Sequence, residues 1–263
     1  MAAYQHVVAL GSSFAAGPGI DPIVDRGALR SGRNYPSLLA ERLGARLTDL
    51  TVSGATTATI LDTPQHALWR RTFAPQLEGV PDDADLVTVT AGGNDLGYIG
   101  SMVRAASAGR LRSRLLTRPL AAIVGRGGLP AASDEAVEQA VDGLTRVVRA
   151  ARVRAPRARV VLVDYLTLVG GSTRPDPGTP FTTAEIAAFR LLAERLADAF
   201  AVAAERTGAD LVRASALSGR HGLGSADPWV TGFRTPRRGA PFHPNAAGME
   251  AVAEAVCTAL GTG

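Results

Sequence analysis

Four short segments of this chain hold the residue types of an acyl-transfer site. Gly11-Ser12-Ser13-Phe14 offers a hydroxyl nucleophile. Ser53-Gly54-Ala55 offers a backbone N–H, and Gly92-Gly93-Asn94-Asp95 a side-chain amide. Phe242-His243-Pro244-Asn245 offers an imidazole base. A serine hydroxyl attacks a carbonyl only when a base takes its proton. The oxyanion that then forms needs donors already aimed at it. Nucleophile, two kinds of donor and base are the parts that chemistry requires.

Taken singly, each segment has an ordinary structural reading. Ser13 suits a helix N-cap, Gly54 a strand-ending turn, and Asn94 an Asx-turn or cap. The first segment is not a Gly-x-Ser-x-Gly elbow, because residue 15 is Ala. Of the four histidines, His6 falls in a strand, and His66 and His221 fall in loops or helix edges. His221 is the rival base. Pro244 biases His243 toward extended backbone, which lets its side chain reach across strand ends.

The elements that must position these residues alternate. β-Branched apolar runs at His6–Leu10, Ala45–Val52, Ala84–Ala91, Ala158–Tyr165 and Ala209–Val212 read as five strands. Helical patterns cover Tyr35–Leu43, Ser133–Arg154, Thr182–Thr207 and Asn245–Leu260, the third opening on a capping box. Alternation of this kind predicts a parallel sheet covered on both faces, with ligands bound beyond the carboxyl ends of its strands. Ser13, Gly54 and Asn94 each fall just after one of the first three strands. The pattern implies one domain over residues 1–263, without repeats or linkers. The irregular stretch 97–130 reads equally as a helical insertion or lid and as a surface loop.

Composition bounds the function classes. At 263 residues, 46% hydrophobic and 20% charged, the chain is globular. All 28 of its basic side chains are Arg, which excludes P-loop lysines, Schiff bases and serine–lysine dyads. The net charge is +4, and its densest stretch, Arg104 to Arg126, reads as a solvated face rather than a nucleic-acid site. Neither Gly-x-Gly-x-x-Gly after the first strand nor a Walker motif occurs. The expectation is therefore no cofactor and no nucleic-acid partner. The single cysteine, Cys257, sits in an apolar helical run and reads as a buried structural thiol. No run of about 18 apolar residues predicts a membrane span. The start Met1-Ala2-Ala3-Tyr4 shows no leader pattern, which points to a cytoplasmic protein.

Together the four blocks resemble the SGNH hydrolases, also called the GDSL lipase/esterase family, over residues 7 to 255. The resemblance implies a flavodoxin-like three-layer α/β/α sandwich with a central, mostly five-stranded parallel sheet. It implies hydrolysis of a small-molecule carboxylic ester through an acyl-serine, without a metal. Ser13 takes the nucleophile position and His243 the base. Ser13 N–H, Gly54 N–H and the Asn94 amide take the oxyanion hole. Two positions depart from the pattern. Ser12 stands where the family has Asp in Gly-Asp-Ser, outside the triad. Ala240 stands three residues before His243, where the family usually has the triad Asp. The expectation is a Ser13–His243 dyad whose Nδ1–H is held by a backbone carbonyl, that of Ala240; Asp227 is the carboxylate that would replace it. Small side chains at Ala15, Ala16, Gly17 and Ala55 suggest an open, shallow cleft. Carbohydrate O-acetylesterase, acyl-thioesterase and weakly active ligand-binding relative are the alternative functions. The oligomeric state is not readable.

Overall fold

The computed structural model describes residues 4–67, 71–113, 115–125, 133–233 and 240–262. Its centre is a five-stranded parallel sheet. In spatial order the strands are Arg46–Asp49, His6–Gly11, Leu86–Thr90, Arg159–Val163 and Asp210–Val212. Strands His6–Gly11 and Leu86–Thr90 are buried at every residue. Coverage of both faces explains why neither strand alternates between buried and exposed positions.

Helices cover the sheet as a three-layer sandwich. Tyr35–Leu43 packs against Ala246–Leu260, and Asp134–Arg154 packs against Thr183–Thr207. Their boundaries follow local chemistry. Asn34, Ser133, Thr182 and Asn245 each accept a hydrogen bond from a first-turn N–H. Left-handed Gly44, Gly208 and Gly261 end three of the four. Cys257 is buried in the last helix, as its apolar surroundings suggested.

The strand order places the first strand between the second and third in sequence. The chain thus leaves it first to one side and then to the other, and this reversal opens a crevice at the strands' carboxyl ends. Gly11 pairs in register with Thr90, so the segments after these two strands emerge at the same level. Ser13 and Asn94 lie on those segments.

The stretch 97–130 is helical over Tyr98–Arg112 and Arg118–Val124; residues 126–130 lie outside those described. Two small antiparallel pairs, Ile23–Asp25 with Arg30–Ser31 and Gln65–His66 with Thr72–Phe73, have no counterpart in the sequence reading. Strands of two or three residues are too short to show a period. Among the described residues no helix is long and apolar enough to cross a membrane.

Candidate active site

The turn that carries Ser13 is built on Gly11. A Cβ there would lie 2.5 Å from the Thr90 carbonyl oxygen, so only glycine lets the two strand ends approach this closely. Gln76 brackets the position: its Oε1 accepts from Gly11 N–H (2.8 Å) and its Nε2 donates to Gly11 O (3.0 Å). Ser12 N–H then donates to Thr90 O at 2.9 Å, and Ser12 Oγ lies 3.0 Å from the Tyr165 hydroxyl. The serine that replaces the family's Asp is thus a structural member of the turn. Ser13 opens a four-residue helix that left-handed Gly17 closes. It is 6% exposed, and among the described residues its N–H meets no acceptor.

The second segment is a turn held from three sides. Ser53 N–H donates to Ala28 O, Ala55 N–H to Val52 O, and Gln65 Nε2 to Ser53 O, at 2.9–3.0 Å. Gly54 has φ +87°, a left-handed value that favours glycine. Its N–H meets no acceptor among the described residues.

The third segment needs its two glycines for separate reasons. Gly92 has φ +95°. A Cβ on Gly93 would sit 2.7 Å from the Tyr165 ring, and the Gly93 N–H donates to the Tyr165 hydroxyl at 3.1 Å. Asn94 Nδ2 donates one hydrogen to Ala55 O at 2.8 Å, tying its amide to the Gly54 turn; among the described residues its second hydrogen meets no acceptor. Asp95 fastens the same two loops. Its carboxylate accepts from Thr57 N–H (3.0 Å) and Thr57 Oγ1 (2.5 Å), at the first turn of helix Thr57–Leu61. Asp95, Tyr165 and Gln76 were not singled out in the sequence. Only Asp95 carried a signal, its place beside Asn94.

His243 comes from a loop that Thr231 pins in place. Thr231 N–H donates to His243 O, Phe242 N–H to Thr231 O, and His243 N–H to Thr231 Oγ1, at 2.8–3.2 Å. Phe242 has φ +60°, is buried, stacks on Phe233 and meets the Phe181 ring at a tilt. The turn at Phe242 folds the Pro241 carbonyl back onto the ring, where it lies 2.7 Å from Nδ1. Here the sequence expectation needs correction. The carbonyl at Nδ1 is that of Pro241 and not of Ala240, because Thr231 Oγ1 donates to Ala240 O at 2.5 Å. A carbonyl only accepts, so Nδ1 carries the proton and Nε2 keeps its lone pair. The ring lies 5.7 Å, centroid to centroid, from that of Phe14, the neighbour of Ser13. Desolvation lowers the His243 pKa from 6.5 to about 4, and the Pro241 carbonyl offsets only part of that.

Among the described residues no carboxylate reaches His243. Asp227 belongs to His221 instead: His221 Nδ1 lies 2.8 Å from the Asp227 backbone oxygen and 3.3 Å from its carboxylate. The His221 ring stacks on Trp229 at 3.8 Å. His6 bonds to Asp83 and Thr48, and His66 to Thr72. None of these three contacts leads to the serine turn. Ala15, Ala16 and Ala55 are fully buried. Their small size serves packing and carries no information about cleft depth, contrary to the sequence reading. Among the described residues there is no group of three His, Cys, Asp or Glu side chains that could hold a metal ion.

Comparison with known proteins shows the family. Residues 9–251 match the GDSL-like Lipase/Acylhydrolase family. Lipase 2 of Streptomyces coelicolor is 32% identical over 268 residues, covering 97% of this chain and 85% of that protein. The crystal structure of phospholipase A1 from Streptomyces albidoflavus superposes with a TM-score of 0.71 at 22% identity, covering 97% of this chain and 99% of the other. The extracellular lipase of Streptomyces rimosus superposes with a TM-score of 0.68 at 25% identity, with the same coverage.

Proposed function

We infer the reaction pathway from one premise: this chain belongs to the GDSL-like lipase/acylhydrolase family. It is a carboxylic ester hydrolase. The pathway proposed is acyl transfer through Ser13 by a Ser13–His243 dyad, with the Pro241 carbonyl in the place of the usual Asp. The observation that carries it is the Nδ1 contact of His243 with Pro241 O at 2.7 Å, which leaves Nε2 as the base.

His243 Nε2 takes the Ser13 Oγ proton as Oγ bonds to the ester carbonyl carbon. The oxyanion is received by Ser13 N–H, Gly54 N–H and the second hydrogen of Asn94 Nδ2, three donors that meet no acceptor among the described residues. The imidazolium then gives its proton to the departing alkoxide. Water repeats the sequence on the acyl-serine and restores Oγ–H. A neutral carbonyl fixes the tautomer as Asp does, but it stabilises the imidazolium less. Activity per site is correspondingly lower.

The missing carboxylate also favours one second reading, a weakly active relative that binds an acyl or sugar ligand. Hydrolysis of a p-nitrophenyl ester series from acetyl to palmitoyl separates the two. The dyad predicts turnover by wild type and a fall of about 10³ or more in Ser13→Ala and in His243→Ala. An inert wild type that also resists a fluorophosphonate probe at Ser13 would support the binding relative.

A further inference from the structure

We propose that the outer face of residues 115–124 docks on an anionic lipid surface. The segment is a short turn, Leu115–Thr117, followed by helix Arg118–Val124. Its sidedness is the reverse of a soluble helix. Ala121 is 4% exposed and packs inward, whereas Leu116, Leu120 and Ile123 are 95%, 51% and 56% exposed. A surface helix ordinarily buries its large apolar residues. Leu120 and Ile123, three apart on the helix, share one side, and Leu116 stands exposed on the turn that leads into it, so the segment presents an exposed apolar ridge.

The charge around the ridge points to the partner. Between Asp95 and Asp134 the sequence has no acidic residue and six arginines: 104, 110, 112, 114, 118 and 126. Arg112 is ion-paired with Glu185 at 3.0 Å. Arg104 and Arg110 are exposed and, among the described residues, have no carboxylate partner; Arg110 lies over the Phe233 ring at 5.9 Å. Large apolar side chains pointing outward within a purely basic segment match an interfacial element, with the side chains entering the acyl boundary and the guanidinium groups meeting lipid phosphates. Nucleic acid accounts for the arginines and leaves the leucines unexplained. The helix preceding the ridge, Tyr98–Arg112, starts three residues after Asp95 and packs against Arg118–Val124.

The test is co-sedimentation of the full chain with phosphatidylcholine vesicles, with and without phosphatidylglycerol. Wild type is expected to bind the anionic vesicles and to be released by salt. Leu116→Glu/Leu120→Glu/Ile123→Glu should lose at least about tenfold in binding, and Arg104→Gln/Arg110→Gln about fivefold per arginine. Both variants should keep wild-type melting and wild-type turnover of a soluble short-chain ester, so the result does not depend on the esterase mechanism. Absence of wild-type binding, undiminished binding by the glutamate variant, or binding to DNA in preference to vesicles would each overturn the proposal.

Discussion

The pH dependence of kcat/KM tests the His243 environment directly. A general base works only when neutral, so activity rises with pH through the pKa of the free enzyme's imidazole. Burial holds that pKa at about 4. At pH 5 a base of pKa about 4 is about 90% neutral, whereas one at the ordinary 6.5 is about 3% neutral, a difference of about thirtyfold. The enzyme should therefore keep nearly its full kcat/KM at pH 5 and show a flat profile from there to pH 8. The assay is hydrolysis of p-nitrophenyl butyrate, followed at the isosbestic wavelength of the product, with circular dichroism at each pH to establish that the protein stays folded. Ala240→Asp extends the test by placing a carboxylate at the family's position. An anion close to the ring favours the imidazolium, so the acidic limb should move up by about one to two pH units. A wild-type limb centred near 6.5 would refute the reasoning, because it would mean that the imidazole is solvated or already carboxylate-paired.

Three further outcomes are expected. Asn94→Ala should lower kcat by about 10²–10³ with a much smaller change in KM, since its free hydrogen is engaged only by the developing oxyanion; steady-state kinetics on one ester decides it. Gly11→Ala should cost at least about 2 kcal/mol, read as a lowered melting temperature, because its Cβ would meet the Thr90 carbonyl oxygen at 2.5 Å and backbone cannot swing aside. Asp164, 3% exposed and bonded to Ser215 N and Oγ, has its pKa raised to about 6 by burial. Its folded pKa lies above its unfolded 3.8, so its contribution is full below pH 3.8 and is lost as pH rises through 6. The loss is about 2–3 kcal/mol. His243 acts in the opposite sense, since its stabilisation is present above 6.5 and is lost as pH falls toward 4. Denaturant melts of wild type and Asp164→Asn, compared at each pH from 4 to 7, isolate the Asp164 part. The gap between them should shift in favour of the variant as pH rises, and a constant gap would show that Asp164 does not titrate in that window.

The five strands, the four long helices and their order were legible in the sequence. Buried β-branched runs and capped 3.6-residue periods are local signals, and they fix type and boundary within a few residues. The four candidate segments could be picked out in the sequence because each sits at the edge of such an element. Tertiary structure decided the rest. That the carbonyl at Nδ1 belongs to Pro241 follows from the Phe242 turn and from Thr231, which takes the Ala240 carbonyl and lies nine residues earlier in the chain. The partners that hold the turns, Gln76 on Gly11, Tyr165 on Ser12 and Gly93, and Asp95 on Thr57, span 38 to 153 residues of sequence. No periodicity encodes such a pairing, which exists only once the sheet brings the strand ends to one edge. The same holds for residues 115–124: composition showed the arginines, but only packing showed that Ala121 turns inward and the leucines outward. Residue types and local order thus determined the class of chemistry this chain carries, and the packing of distant segments decided which atoms are brought together.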